Sequence, residues 1–275
     1  MKRIHTYLLV GLVVTLVACK ATTDSVTTAP ESPTRTLDDI ALNGKVYSAV
    51  WQQNAGEFRA LCYQAYNVAQ SQMDQQLMKS HDKPYAIITD VDETFLDNSP
   101  YAVTQAQLGN EYDTDTWLDW TSKAAAKAYP GALAFFNYAA SQGVTVFYIT
   151  NRNEQDKPGT VANLKALGFP FADADHVLVK QTTSDKTARR QQVLTDFEVL
   201  LYLGDNLGDF PADFYHRSQQ ERNALTDSLS NQFGTRFIVL PNSGYGNWES
   251  ALPGYHHGMT PQEKDSIFLK NVKGY

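Results

Sequence analysis

Two hydrophobic rhythms divide this chain. From residue 41 to about residue 78, apolar side chains return every three or four positions: Val46, Ala49 and Val50, then Phe58, Leu61, Cys62, Ala65 and Tyr66. That spacing lines one face of a helix, and its interruption near Gly56 predicts one or two helices there. The stretch PYAIITD changes the rhythm to a continuous apolar run and predicts a first strand ending at Asp90. Similar runs predict strands at residues 144–150, 176–180, 199–205 and 236–242. Helical stretches fall between most of them, at 132–140 and around 160–167, the latter closed by Gly168. Continuous rather than alternating apolar strands, separated by helices, predict an α/β fold: a parallel sheet with helices on both faces. No repeat or heptad is evident.

Between Asp97 and Pro130 no strong strand appears, but aromatics are dense: Tyr101, Tyr112, Trp117, Trp120 and Tyr129. This segment, about 98–130, is expected to be an inserted cap over the strand ends. Ligands of open parallel sheets bind beyond the carboxyl ends of the strands. In this sequence that edge collects unusual residues: Asp90, Thr150, Lys180 and Asp205 each end a predicted strand.

Composition narrows the options. A hydrophobic content of 43% in 275 residues suffices for a real core. The net charge is −7 and no basic stripe is present, so a nucleic-acid polymer is not an expected partner. Residues 1–18 begin with Lys2 and Arg3 and continue into an apolar run, residues 7–18, shorter than the roughly 20 residues of a spanning helix. They read as a secretory signal. The run ends Leu-Val-Ala-Cys, which resembles the lipobox of bacterial lipoproteins. The resemblance implies lipidation of Cys19, with Lys20 beside it favouring the outer membrane of a Gram-negative cell. The plainer reading is a signal cleaved near Ala18 with an incidental cysteine. Residues 19–40, rich in Thr, Ser and Pro, are expected to be a flexible tether to a folded part at 41–275. Cys62 has no second cysteine to pair with there and is expected in the core.

Four stretches carry candidate chemistry. Asp90, Asp92 and Thr94 form D-x-D-x-T directly after the first strand, where a turn can aim both acids at one reacting group. YITNR supplies the hydroxyl of Thr150, the amide of Asn151 and the cation of Arg152. SDKTARR places Lys186 at a helix start, where an ammonium and backbone N–H groups can face an anion; Arg189 and Arg190 are expected on the exposed face. LYLGDNLGDF puts Asp205 and Asp209 after an apolar strand, with Gly204 and Gly208 allowing tight backbone, a donor set suited to a hard cation, Mg2+ above all. Each stretch alone is common; the four in order, each after its strand, are not.

Together they resemble the haloacid dehalogenase superfamily and, more specifically, the class C bacterial acid phosphatases, secreted or outer-membrane lipoproteins with paired aspartates in the first and last motifs. The resemblance implies a Rossmann-like parallel sheet with an inserted, mainly helical cap. It implies a Mg2+-dependent phosphomonoesterase in which Asp90 is the nucleophile and Asp92 the general acid and then base. Asp90 and Asp205 would give carboxylates to the metal, Asp92 its backbone carbonyl, and Asp209 would support that shell. Thr150, Asn151 and Lys186 would bind phosphoryl oxygens, and Thr94 would tie down the loop. An Asp ordinarily ionises near pH 3.9, so a protonated Asp92 fits an acidic optimum. Trp117 and Tyr245 are candidate stacking walls for a nucleoside or aryl group, or else fill the cap's own small core; Trp120 is expected to pack. His256 and His257 are expected in an exposed loop. A homodimer is carried from the family, and phosphate transfer to another alcohol in place of water is a further alternative. The rival reading is a non-catalytic surface lipoprotein that binds an aromatic ligand or haem.

Overall fold

The computed structural model describes residues 39–80 and 82–275; the expected signal, the lipidation at Cys19 and the tether as far as residue 38 lie outside the described residues. The helical rhythm becomes α1 (Ile40–Asn54) and α2 (Gly56–Leu77), separated by the single extended residue Ala55. In α2, Phe58, Cys62, Tyr66, Ala69 and Met73 fall three or four apart and are all buried. Cys62 is fully covered, and burial pushes its thiol up to about 12, so it is an inert part of the core.

The first continuous run is β1 (Tyr85–Thr89). The inserted segment follows: β2 (Leu96–Asp97), α3 (Ser99–Gln107), α4 (Thr114–Ser122) and β3 (Lys127–Ala128). Next come α5 (Ala132–Ser141), β4 (Thr145–Ile149), α6 (Lys157–Leu167), β5 (Val177–Leu178), α7 (Thr187–Asp196) and β6 (Glu198–Gly204). The chain finishes with α8 (Gln219–Ser228), β7 (Phe237–Val239), α9 (Asn247–Ser250) and α10 (Pro261–Asn271). Gly168 closes α6 in the left-handed conformation, at φ 82°, as the sequence suggests.

The five predicted strands form one parallel sheet in the order β5-β4-β1-β6-β7. After β1 the chain builds outward through β4 and β5, then crosses to the other side for β6 and β7. The order therefore reverses at β1, and the carboxyl ends of β1, β4 and β6 surround that switch point. Successive β1 side chains face opposite layers: Ile87 joins the core under α2 and α5, while Ala86 and Ile88 join the one that includes Val193 of α7. This double burial is why the strands read as continuous apolar runs. The edge strands β5 and β7 are shorter than their runs because each pairs on one side only, and Pro241 follows β7.

The cap is helical, as expected, but its stem was not visible in the sequence. β2 and β3 pair antiparallel, Leu96 with Ala128 and Asp97 with Lys127, and so bring the two ends of the insertion together. Two residues per strand leave no period to detect. The cap is also bonded to its neighbours. Gln52 of α1 donates to Asp97 (2.7 Å), Thr121 of α4 donates to Asp156 (2.7 Å), and Asn163 of α6 brackets both the N–H and the carbonyl of Ala126. At Gly159 a Cβ would lie 2.4 Å from the Thr121 carbonyl oxygen, so only glycine lets α6 approach the cap this closely.

An aromatic cluster fills the space below the site: Phe95, Phe136, Tyr148 and Phe169, with ring centroids 4.9–6.2 Å apart. Phe136 is fully buried at its centre. Phe136→Ala is expected to cost about 3–5 kcal/mol, whereas Tyr47→Ala, at a position 80% exposed, should stay within about 0.5 kcal/mol. Urea unfolding of the two variants checks both.

Candidate active site

Asp90 leaves β1 with its N–H still in the sheet, donating to Leu203 O (2.9 Å), so the carboxylate is delivered by a rigid strand end. Asp205 directly follows β6, and Asp209 closes a short 3-10 turn after it. Asp209 Oδ2 accepts from the Asn206 N–H (2.9 Å), and Asn206 caps the turn in return. Gly204 makes this packing possible: a Cβ there would fall 2.4 Å from Asp209 Cβ and Oδ2. One oxygen each from Asp90, Asp205 and Asp209 lie within 4.8 Å of one another. The two carboxylates expected to share a cation are thus neighbours, although residues 90 and 205 are far apart in the chain.

Such crowding is unfavourable for ionised groups. Desolvation, with help from Asp209 and Asp92, raises Asp90 to about 7 even though Lys186 pulls the other way. Desolvation and the carboxylates of Asp209 and Asp90 hold Asp205 well above the ordinary range, although Asn242 donates to its Oδ2 (2.7 Å). The compensating charge is Lys186, at the N-cap of α7 and 3% exposed. Its ammonium bonds to Asp90 Oδ1 and reaches Asp209 Oδ1 at 2.7 Å. Burial opposes its charge, but the two carboxylates win, and the lysine is raised above its usual range. Thr94 Oγ1 lies between Asp90 Oδ2 (3.2 Å) and Asp205 Oδ1 (3.1 Å), where its single proton can serve one at a time. Three close carboxylates without a neutral ligand type among them form the donor set of a hard divalent cation, and a cation there would relieve the repulsion that lifts Asp90 and Asp205.

Asp92 faces a different set of partners. Arg152 grips it in a fork, with Nη2 2.7 Å and Nε 3.0 Å from Oδ1, and Asn98 and Thr150 donate to it as well. The hydroxyl of Thr150, expected on a phosphoryl oxygen, is therefore turned toward Asp92 Oδ2 (3.2 Å). Asn151 is exposed beside it, with its side-chain oxygen Oδ1 fixed by Arg189 Nη2 (2.7 Å).

That last contact corrects an expectation. Arg189 and Arg190 are not on an exposed face; they are 6% and 4% exposed. Arg189 also bonds to the Thr150 carbonyl, and Arg190 to the carbonyls of Gly208 (3.0 Å) and Asp209 (3.4 Å). Together with the N-cap Lys186 on Asp90, the start of α7 thus pins the loops after β1, β4 and β6. A basic residue in a helix is usually solvated, so the sequence offered no local sign of this.

The aromatics separate. Trp117 is 8% exposed, packed edge-to-face on Tyr101 with centroids 4.9 Å apart, and the Arg152 guanidinium lies 5.5 Å from its ring. It is covered by its own cap rather than open as a wall. Tyr245 is 40% exposed and tied by its hydroxyl to Glu93. Trp120 packs against the core and donates its indole N–H to Asn98 (2.9 Å). His256 and His257 are exposed, in the loop before α10. Glu93, part of the opening acid cluster but without an expected role, sits in the left-handed region at φ 55° and 3% exposed. Its oxygens take the Asn98 N–H (2.9 Å) and the Tyr245 hydroxyl. Desolvation first, then Asp92, push it up to about 8 against those two bonds.

Comparison with known proteins agrees with this geometry. Residues 10–248 match the model of the HAD superfamily, subfamily IIIB (Acid phosphatase). The class C acid phosphatase from Bacillus anthracis superposes with a TM-score of 0.82 and 38% sequence identity, covering 86% of this chain and 99% of that one. The crystal structure of that enzyme with tungstate bound gives 0.81 and 38%, covering 85% and 98%. Among curated relatives, the stem 31 kDa glycoprotein of Glycine max is 27% identical over 145 residues, 50% of this chain and 56% of its own length. Acid phosphatase 1 of Solanum lycopersicum is 31% identical over 131 residues, 44% and 50%. The chain spans about half the length of these curated relatives.

The raised carboxyls fix a pH dependence for the metal-free protein. Asp90 and Glu93 would ionise near pH 4 when unfolded but keep their protons to about 7 and 8 when folded. Between those limits the unfolded chain binds fewer protons, so their contribution to stability is present at low pH and is lost as pH rises through the folded values. With chelator present, the thermal midpoint should therefore fall between pH 5 and pH 8, and added divalent cation should recover more at pH 8 than at pH 5. A midpoint that rises over that interval in chelator would show these groups ionised in the folded state.

Proposed function

Because the chain belongs to subfamily IIIB of the HAD superfamily and to its class C acid phosphatases, we propose that it is a metal-dependent phosphoric monoester hydrolase acting through Asp90. The observation that carries this reading is the convergence of Asp90, Asp205, Asp209 and Lys186 at the switch point, with Asp92 beside them on a separate cation. Asp90 attacks phosphorus; the Asp90 O–P bond forms as the bond to the ester oxygen breaks, and Asp92 gives that oxygen its proton. Water then attacks the aspartyl-phosphate, Asp92 takes back a proton, and phosphate leaves with Asp90 restored. Lys186, Thr150 and Asn151 bind phosphoryl oxygens, Lys186 exchanging part of its carboxylate contact, and Thr150 its contact with Asp92 Oδ2, for the incoming anion. Asp90 and Asp205, with Asp209 in support and the Asp92 backbone carbonyl, are the groups that would hold Mg2+. The ion supplies charge neutralisation between nucleophile and phosphoryl group when bound.

For substrates we carry nucleoside 5′-monophosphates and aryl phosphates. Tyr245 supports this choice, as the aromatic near the acids that keeps 40% of its surface exposed; the covered Trp117 does so less. Export rests on the basic start and short apolar run of residues 1–18, lipid anchoring at Cys19 on the Leu-Val-Ala-Cys order, and the outer membrane on Lys20. A non-catalytic aromatic-binding lipoprotein has no need of three clustered carboxylates, two of them buried and bonded to a buried lysine, and the arrangement does not favour it.

Phosphate release from p-nitrophenyl phosphate and a nucleoside monophosphate should be lost in chelator and restored by Mg2+, and tungstate should inhibit competitively. Asp90→Asn should lower turnover by a factor on the order of 10³ or more with the circular dichroism spectrum unchanged. A near-normal rate in that variant removes Asp90 as the nucleophile.

A further inference from the structure

The proposed acid-base carboxylate, Asp92, is not simply paired; it is held asymmetrically. Its Oδ1 receives three N–H donors: Arg152 Nη2 at 2.7 Å, Asn98 Nδ2 at 2.9 Å and Arg152 Nε at 3.0 Å. Its Oδ2 receives only the Thr150 hydroxyl at 3.2 Å and the far edge of Arg152 Nε at 3.3 Å. One oxygen is saturated and the other is left to exchange a proton.

The clamp is itself clamped, and by the cap. Arg152 is 2% exposed although the Asp92 side chain it serves is 15% exposed. A third guanidinium nitrogen, Nη1, donates to Thr160 of α6 (3.0 Å). The Trp117 ring lies 5.5 Å from its carbon. Asn98, which begins α3, accepts the Trp120 indole N–H on Oδ1 (2.9 Å), and this sets its amide so that Nδ2 faces Asp92. Trp117 and Trp120, one turn apart on α4, thus brace Arg152 and Asn98 respectively. A buried arginine held on three sides, presenting its fork to a partly open carboxylate, has the form of a positioning device. A lysine could supply the charge but not the fork.

We propose that Arg152, together with Asn98 and braced by the two cap tryptophans, is the positioning residue for proton transfer: it locks Asp92 Oδ1 so that Oδ2 carries the proton to the departing ester oxygen. The cap then has a part in the chemistry as well as in substrate choice. This inference rests on the phosphatase reading above and on the acid role of Asp92 within it.

The test uses leaving groups. p-Nitrophenolate departs without a proton, whereas a primary alkoxide needs one, so misaiming the acid penalises alkyl phosphate selectively. The quantity to measure is kcat/KM, which reports steps through P–O cleavage, for p-nitrophenyl phosphate and glycerol phosphate in full-length protein with Mg2+. The ratio of the two is independent of the fraction of enzyme correctly folded, so it stays readable in a partly destabilised variant. In Arg152→Lys the ratio should move toward the aryl substrate by about tenfold or more, within the range that general acids contribute. Asn98→Ala, which leaves the arginine in place, should move it the same way by a smaller factor. An unchanged ratio with both substrates slowed equally, full rescue by lysine, or a rise in KM alone each overturns the proposal. Wild-type protein that hydrolyses neither ester overturns the phosphatase reading and this inference with it; wild-type turnover with an unmoved ratio overturns this inference alone.

Discussion

Like charge gathered in a largely buried cleft is the constraint that the rest of this structure answers. Asp90, Asp92, Glu93, Asp205 and Asp209 meet at one sheet edge, where burial disfavours the ionised forms of Asp90, Glu93 and Asp205 and acidic neighbours add to that cost. The protein distributes cations against them one by one. Lys186 bridges Asp90 and Asp209, and Arg152 takes Asp92. Arg189 and Arg190 secure the backbone that carries the remaining polar groups. The imbalance left over falls on Asp90, Asp205 and Asp209, the trio whose donor atoms suit a hard cation.

The fold makes that concentration tolerable because strand ends are the stiffest places from which to launch side chains. β1, β4 and β6 lie side by side and are buried on both faces, so the loops that follow them diverge from nearly fixed points. Flexible loops would relax apart and relieve the repulsion; a packed sheet prevents it. Tight approach also depends on the absence of side chains at Gly204 under Asp209 and at Gly159 under the cap. Those two glycines mark where backbone had to come closer than any Cβ permits.

The cap is more closely bound to the site than an aromatic lid would need to be. Its α4 tryptophans back the arginine and asparagine that grip Asp92, its stem pairs through β2 and β3 immediately after the acid loop, and α6 fixes its far end. The physical consequence is that the packing of the cap and the placement of the Asp92 carboxylate share parts. Changes in the cap aromatics are therefore coupled to Asp92 through Arg152 and Asn98, a pair that carries both hydrogen bonds and charge.

The five strands of the parallel sheet, the helices that lie between most of them, the edge on which the acids collect and the four motif loops were legible in the sequence; the β2–β3 stem and the helices from α8 onward were not. Each legible feature is written locally, as a hydrophobic period or a short residue string after an apolar run. The helical rhythm named Phe58, Cys62 and Tyr66 of the buried face of α2, although Leu61 in the same rhythm, like Val50 of α1, is exposed, and Gly168 named the end of α6. What the sequence could not hold was the partner of each charge. Arg152 follows Asn151 in the chain yet serves Asp92, sixty positions away. Arg189 and Arg190 look like an ordinary solvated pair until α7 docks beside three loops at once. Trp117 offers the same aromatic ring whether it faces a ligand or its own cap, and only packing chose the cap, with Arg152 beside the ring. Periodicity reports which way a residue points from its own element; it carries no information about which distant element arrives to meet it, and in this protein that arrival sets which carboxylates Lys186 bridges and which oxygen of Asp92 Arg152 and Asn98 saturate.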